Sequence, residues 1–69
     1  MIREGSKVKW NWSGSTAEGK VKETFDHEVS RTIKGSEITR KGESGNKALL
    51  IEQEDGSQVL KLESEVEKA

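Results

Sequence analysis

Hydrophobic and polar residues alternate along this chain in short segments, which are separated by glycine-containing stretches. The first segment, residues 7–12 (KVKWNW), carries an apolar side chain at every second position. Because successive side chains of a strand point to opposite faces, this pattern predicts a β-strand with Val8, Trp10 and Trp12 on its inner face. The polar residues that follow, 13–16 (SGST), are predicted to form a flexible loop.

A second strand is predicted from Gly19 to about Phe25, with Val21 and Phe25 on the same face. Glu23 lies between these two apolar residues and does not fit the pattern. The polar run 26–28 (DHE) is predicted to be a solvated turn. Neighbouring residues of a strand face opposite sides, so these three side chains could not converge on one metal ion or act as an acid–base pair.

Two hairpins are predicted further along the chain from the pairing of their residues. In the first, a two-residue turn at 35–36 (GS) sets Ile33 opposite Ile38 and places two threonines opposite each other on the other face. The same pairing brings Arg31 opposite Arg40. Strand pairing is expected to fray there, or an anion to lie between the two side chains.

The second hairpin turns at residues 55–56 (DG). A two-residue turn sets Ile51 opposite Leu60 and makes one face of the hairpin wholly apolar, so we prefer this geometry. A three-residue turn with the glycine as a bulge would instead pair Ile51 with Val59 and Leu50 with Leu60, which mixes the two faces. An Asp-Gly pair suits either turn.

Seven glycines punctuate the chain between these short strands, which is typical of a small β-barrel or sandwich. A chain of 69 residues has room for one domain, residues 1–69, with loose termini expected at 1–5 and 67–69. The predicted core is centred on Trp10, which has apolar neighbours at strand spacing on both sides. Its members are Val8, Trp10, Val21, Ile33, Ile38, Ile51 and Leu60.

The composition argues against several kinds of site. The chain has no cysteine for a disulfide, and its one histidine lacks the His or Cys partners of a zinc site. No serine can be assigned a base and an orienting group around that single histidine. No hydrophobic run suits a signal peptide or a membrane span. We therefore expect no metal, no cofactor, no membrane contact and no catalytic activity, with the cytoplasm as the compartment.

The net charge of −1 conceals an uneven distribution. Residues 30–51 contain five basic residues against two acidic ones, whereas residues 52–69 contain six acidic residues against two basic ones. Polyanion binding needs several clustered cations, and the two acids dilute the basic segment. The charges therefore favour an ordinary solvated surface, with a weak nucleic-acid site as the alternative.

Trp12 is expected to be the residue most accessible to a ligand, since it ends its strand beside the polar residues 13–16. In the alternative interpretation its ring closes the open end of the barrel. A nucleic-acid module would use Trp12 as a stacking platform and the basic residues as phosphate contacts. The candidate binding residues are Trp12, Phe25, Arg31, Lys34, Arg40 and Lys41.

Several of these features, in this order and at this spacing, resemble the hypervirulence-associated protein Tudor domain, a family of short bacterial proteins. The resemblance covers nearly the whole chain and rests on Gly5, residues 8–12 (VKWNW), Gly19 with Val21, residues 34–40, Asn46 with Ala48, and residues 55–61 followed by Ser64 and Glu65. It implies a strongly bent, five-stranded antiparallel barrel of the Tudor or Src-homology-3 type. A shared fold does not by itself imply a function.

One departure from the family pattern lies at residues 46–48 (NKA), where the family often has Asn-Pro-Ala. The absence of proline removes a fixed φ angle and restores a backbone N–H donor at Lys47. The start of the following strand is therefore expected to differ from the family pattern.

The Tudor resemblance also suggests an aromatic cage for a methylated lysine or arginine. The chain has only three aromatic residues of the Phe, Trp and Tyr types, none of them tyrosine, and all three are predicted to be needed in the core. Cage recognition is therefore disfavoured. The sequence predicts a monomeric, non-enzymatic interaction module whose partner is a protein or peptide, with weak nucleic-acid binding as the alternative.

Overall fold

The computed structural model describes residues 2–69 and consists of antiparallel β-strands with one short 3₁₀ helix. The elements are β1 (Lys7–Trp12), β2 (Ser15–Phe25), β3 (Glu28–Ile33), β4 (Ser36–Lys41), β5 (Ala48–Glu52), β6 (Gln58–Leu62), the 3₁₀ helix (Glu63–Glu65) and β7 (Glu67–Lys68). Five strands form one sheet in the order β6-β5-β2-β1-β7, while β3 and β4 form a separate hairpin. The predicted all-β antiparallel class is confirmed.

The β3–β4 hairpin packs against β6 and covers one face of the larger sheet. Within residues 2–69 no hydrogen-bonded ladder joins β4 to β6, so the two sheets approach each other without forming one continuous barrel wall. At the other end of the larger sheet, β7 pairs with Val8 and Lys9 of β1. The N–H of Ala69 extends this pairing by donating to the Lys7 carbonyl at 2.9 Å.

β1 begins and ends where the alternation predicts, but the connection that follows it is not a flexible loop. Ser13 and Gly14 form a two-residue turn, with φ angles of 48° and 79°, and Trp12 pairs directly with Ser15. Positive φ at both central positions is the geometry that matches the twist of a tight hairpin. Ser15 and Thr16 therefore already belong to β2, and the prediction of a loop over 13–16 is wrong.

β2 is longer than predicted because it pairs with β1 through its first half and with β5 through its second half. The register to β5 shifts between Val21 and Glu23, which leaves Lys22 as the extra residue of a β-bulge. The bulge reverses which face the later residues occupy. Val21 packs in one hydrophobic cluster and Phe25 against another, so the prediction that they share a face is wrong.

The β3–β4 turn lies one residue earlier than predicted, at Lys34 and Gly35, with φ angles of 51° and 81°. Glycine takes the second turn position, where the positive φ is larger, rather than the first. This shift places Arg31 opposite Ile38 instead of opposite Arg40. The predicted pairing of the two arginines is therefore wrong, and so is that of Ile33 with Ile38, since Ile33 pairs with Ser36.

In the β5–β6 hairpin, Ile51 pairs with Val59 and Leu50 with Leu60, so the three-residue turn is the one that forms. Gly56 has a φ of 87° and supplies the bulge position. The preference for a wholly apolar face is wrong because residues 48–51 are buried on both faces of β5. A strand that is covered on both sides has no solvent-exposed face, so its residues need not alternate between apolar and polar.

The core consists of two hydrophobic clusters on opposite faces of β5. The first contains Val8, Trp10, Val21, Leu49, Ile51 and Val66, and the second contains Val29, Ala48, Leu50 and Leu60. Burial is confirmed for the predicted core residues Val8, Trp10, Val21, Ile51 and Leu60. Ile33 and Ile38 are only partly buried, because they lie on the hairpin at the rim of the second cluster.

The backbone N–H of Lys47 has a hydrogen-bond partner. The Lys47 N–H donates to Glu63 Oε1 at 2.7 Å, and the Glu63 N–H donates back to the Lys47 carbonyl at 2.9 Å. Next to this pair, the Ser64 N–H donates to Asn46 Oδ1 at 3.0 Å. These hydrogen bonds join the start of β5 to the 3₁₀ helix. A proline at position 47 has no N–H and could not form the bond to Glu63 Oε1.

We expect Glu63→Ala to lower the free energy of unfolding by about 1–2 kcal/mol, because it leaves the Lys47 N–H without its charged acceptor. In a Lys47→Pro background, which has no N–H to lose, the same substitution should cost much less. Urea unfolding of the two single variants and the double variant measures the difference. Glu67→Ala, on the exposed strand β7, is the control. Equal costs in both backgrounds would contradict the assignment.

Candidate interaction surface

The two tryptophans of β1 have very different environments. Trp10 is 5% exposed, whereas Trp12 is 65% exposed. Both lie on the same face of the strand, opposite Ala17 and Ser15 respectively. Because β5 pairs with β2 only from Lys20 onward, the β1–β2 hairpin extends past the core and carries the Trp12 ring with it. Trp12 therefore lies on the predicted face of β1, but its ring is exposed, since alternation specifies a face and not whether another layer covers it.

We expect iodide to quench the fluorescence of Trp12 several times more strongly than that of Trp10, because quenching by iodide requires contact with the ring. The measurement uses two single-tryptophan variants, Trp10→Phe and Trp12→Phe, with circular dichroism to show that both keep the β-sheet spectrum. Equal quenching of the two variants would contradict the exposures of 65% and 5%.

Phe25 is partly buried against the second cluster, and its ring is in contact with polar neighbours. The guanidinium carbon of Arg31 lies 5.1 Å from the ring centroid, in cation–π range. The His27 ring approaches edge-on, at 5.8 Å between centroids. Phe25 ends β2, whereas Trp12 pairs with the first residue of that strand, Ser15. The structure therefore does not bring these two candidate residues together.

The four candidate basic residues are spread over the β3–β4 hairpin. Arg31 and Arg40 are on its half-buried face, and Arg40 Nε forms an ion pair with Glu65 Oε1 at 3.4 Å. Lys41 lies on the exposed face, and Lys34 lies in the tight turn. Several of these cations already have partners, and they do not share one surface. Arg40 and Lys41 are neighbours in sequence, but consecutive residues of a strand point to opposite faces, so their side chains lie on different sides of the hairpin.

A cleft of about 890 Å³ is present that the sequence pattern does not predict. It lies between the β2 side of the β1–β2 hairpin and the start of the β5–β6 turn. Its lining consists of Lys7, Thr16, Glu18, Gly19, Lys20, Glu52, Gln53, Glu54 and Asp55. Four carboxylates face two ammonium groups, so the cleft is acidic. The only signal in the sequence is the acidic composition of residues 52–69, which does not say what those acids face.

Some charged side chains of the cleft are in contact with neighbouring residues. Lys7 Nζ lies 3.8 Å from Glu18 Oε1 on the neighbouring strand. The Ser57 hydroxyl and N–H donate to Asp55 Oδ1 at 2.6 and 2.9 Å. These two hydrogen bonds lower the pKa of Asp55 below its ordinary value. Asp55 is therefore a carboxylate at neutral pH.

The residues around His27 match a solvated turn. His27 Nδ1 lies 3.3 Å from Asp26 Oδ1, and both side chains are exposed. Within residues 2–69, no three His, Cys, Asp or Glu side chains are grouped so that they could hold a metal ion. The same part of the chain contains no helix long and apolar enough to cross a membrane.

Comparison with known proteins assigns the chain to a family. Neither the curated proteins nor the solved structures that were compared give a match. The family model of the hypervirulence associated proteins TUDOR domain matches residues 5–66. This match confirms the resemblance to this family. Since it spans all but the ends of the chain, this protein belongs to the hypervirulence-associated Tudor domain family.

Proposed function

We propose that this protein is a non-enzymatic module that binds a protein or peptide partner through the indole ring of Trp12. The observation that carries the proposal is the 65% exposure of Trp12, the one large hydrophobic side chain among residues 2–69 that is exposed. An indole offers a large contact area at little conformational cost, which is why tryptophan is frequent among residues that dominate interfaces. A monomeric state and a cytoplasmic location are part of the same proposal.

The hairpin supports this use of the ring. Trp12 is held by the tight turn at Ser13 and Gly14 rather than by a flexible loop. A ring on a well-defined hairpin loses little freedom when a partner covers it, so most of the contact energy contributes to binding. The neighbouring side chains of Ser15 and Ala17 are small and leave room for a partner beside the ring.

The nucleic-acid alternative has less support. It needs several free cations on one surface, but Arg40 is paired with Glu65 and Arg31 lies against Phe25. We therefore expect random DNA or RNA to bind with a dissociation constant above about 10⁻⁴ M at physiological salt. Fluorescence anisotropy with labelled oligonucleotides measures it. Micromolar binding that is lost in the Arg31→Ala, Arg40→Ala double variant would favour the alternative.

Selection from a random peptide display library tests the proposal. Peptides selected on the unmodified protein should bind Trp12→Ala at least about tenfold more weakly, the loss of one interface anchor. Asn11→Ala is the matched control, since Asn11 is also exposed but lies on the other face of β1. Thermal melts establish that both variants are folded. Selected peptides that bind Trp12→Ala as tightly as the parent, or no selectable peptide at all, would overturn the proposal.

A further inference from the structure

On three other strand edges of this fold, a side chain occupies one outward backbone group. Arg31 Nη1 donates to the Ser30 carbonyl at 2.9 Å, and Arg40 Nη1 donates to the Thr39 carbonyl at 2.9 Å. In a hairpin with a two-residue turn these two carbonyls point outward. On β6, the N–H of Leu62 donates to Glu65 Oε1 at 2.9 Å. Occupied edge groups are one way in which proteins prevent an edge from pairing with another chain.

The outer edge of β2 differs from these edges. The turn at 13–14 makes Trp12 and Ser15 a hydrogen-bonded pair, and alternate residues of β2 then point toward β1. The N–H and carbonyl groups of Thr16 and Glu18 therefore point to the other side, where β5 starts to pair only at Lys20. Both residues are exposed. No hydrogen bond within residues 2–69 uses these four groups.

This free edge forms one wall of the acidic cleft of about 890 Å³. The opposite wall is residues 52–55, where the chain leaves the sheet and turns toward β6. Glu54 lies there without an ion-pair partner among residues 2–69. A strand placed along β2 would therefore meet four free backbone groups on one side and carboxylates on the other.

The two faces of the edge differ in chemistry. The face that carries Ser15 and Ala17 also carries the exposed Trp12 ring across the hairpin. The opposite face carries Thr16 and Glu18 and is continuous with Glu52, which pairs with Lys20. Because side chains of an added strand alternate between faces, one set would meet the indole and the other set the acids.

We propose that the β2 edge accepts an extended segment of a partner protein as an additional β-strand, bonded to Thr16 and Glu18. The segment alternates apolar residues, which pack beside Trp12, with lysine or arginine, which face the carboxylates of the cleft. The inference rests on the proposed function, since it describes how the same hairpin would hold its partner. Backbone hydrogen bonds supply affinity in this mode, and alternate side chains supply specificity.

The test uses acetylated peptides about eight residues long, the length of a strand, in which valine alternates with lysine, glutamate or serine. A peptide of the same valine and lysine composition in two blocks controls for charge alone. Amide NMR spectra of the labelled protein locate the contact, and amide hydrogen exchange reports new bonds at Thr16 and Glu18. The alternating lysine peptide should protect both amides and bind at least about tenfold more tightly than the other three peptides.

Substitutions at Thr16 test the edge separately from the ring. Thr16→Pro removes an outward N–H that the fold does not use, and it should weaken binding at least about tenfold, whereas Thr16→Ala should change it by less than about twofold. If Thr16→Pro fails to fold, the Glu18→Lys, Glu54→Lys variant keeps the backbone and should transfer the preference from the lysine to the glutamate peptide.

The outcomes distinguish this inference from the proposed function. Shifts confined to residues around Trp12, with Thr16→Pro binding as tightly as Thr16→Ala, overturn the strand addition and leave the role of Trp12 standing. Loss of binding in Thr16→Pro but not in Trp12→Ala supports the edge and contradicts the role of the ring. Equal binding of the alternating and block peptides, or no shift of any amide at saturating peptide, overturns the strand addition.

Discussion

Replacing Trp10 with alanine is expected to unfold this protein or to leave it barely folded. Trp10 is 5% exposed and is the largest side chain of the first hydrophobic cluster. Truncating a buried tryptophan costs about 3–5 kcal/mol, from lost burial and from the cavity that remains. Stability of about 0.05–0.15 kcal/mol per residue gives a chain of 69 residues roughly 3–10 kcal/mol in total, so this loss is a large part of it. The measurement is urea unfolding followed by circular dichroism.

Trp12→Ala is the matched control, because it removes the same side chain from the same face of the same strand, two residues away. Trp12 is 65% exposed, so its removal should change the free energy of unfolding by no more than about 0.5 kcal/mol. A Trp10→Ala protein that melted cooperatively near the temperature of Trp12→Ala would show that the first cluster does not depend on its largest member.

Gly42→Ala is expected to have the second large effect, a loss of about 3 kcal/mol or more. A β-carbon at position 42 would overlap the Phe25 carbonyl oxygen and lie 2.8 Å from the Ala48 nitrogen. Both of these atoms belong to the backbone, so no side-chain rotation can relieve the contact. The Gly42 N–H also donates to the His27 carbonyl at 3.0 Å, and this bond would be strained by any shift.

Gly45→Ala, in the same connection between β4 and β5, is the control. It measures the cost of the backbone conformation without any steric contact of the new β-carbon. Gly45 has a φ of 89°, and a β-carbon there would meet nothing within 4 Å. Its replacement should cost only about 1–2 kcal/mol, the cost of a left-handed conformation for an L-residue. Thermal or urea unfolding of the two variants provides the comparison. Similar losses for both would mean that the backbone around Gly42 moves freely, contrary to the packing described.

The arginines of the β3–β4 hairpin have partners within the protein. Arg31 and Arg40 look like phosphate ligands in a basic segment, yet each donates to the carbonyl of the residue before it. Arg40 also reaches Glu65, next to β7. The same side chains therefore each occupy one backbone carbonyl on an outer edge of the hairpin.

Local alternation was sufficient to predict the bounds of β1, the all-β class and five of the buried residues, including Trp10 and Val21. Alternation is a property of neighbouring residues and of the strand itself, so the sequence carries it directly. The family could also be identified from the sequence, and the match to the family model over residues 5–66 confirms it.

The pairing of the strands could not be predicted in the same way. Each wrong register depends on a local conformation that many sequences permit: which residues take positive φ in the turn at 34–35, and whether Gly56 forms a bulge. β2 pairs with both β1 and β5, and the bulge at Lys22 shifts its register to β5. The register that forms is the one that packs best in the tertiary structure. A change of register by one residue moves every later side chain to the opposite face.

Some features of the candidate site can be predicted from the sequence, and others depend on packing. That Trp12 ends a strand is visible in the sequence, and so is the acidic composition of residues 52–69. Whether a layer covers the ring, and which acids face the free edge at Thr16 and Glu18, depend on segments more than thirty residues apart in the chain. Exposure and cleft formation are properties of how layers pack, because they depend on which surfaces remain uncovered. Sequence pattern was therefore enough to predict β1, the all-β class and the family, whereas the accessible surface depends on how distant segments pack.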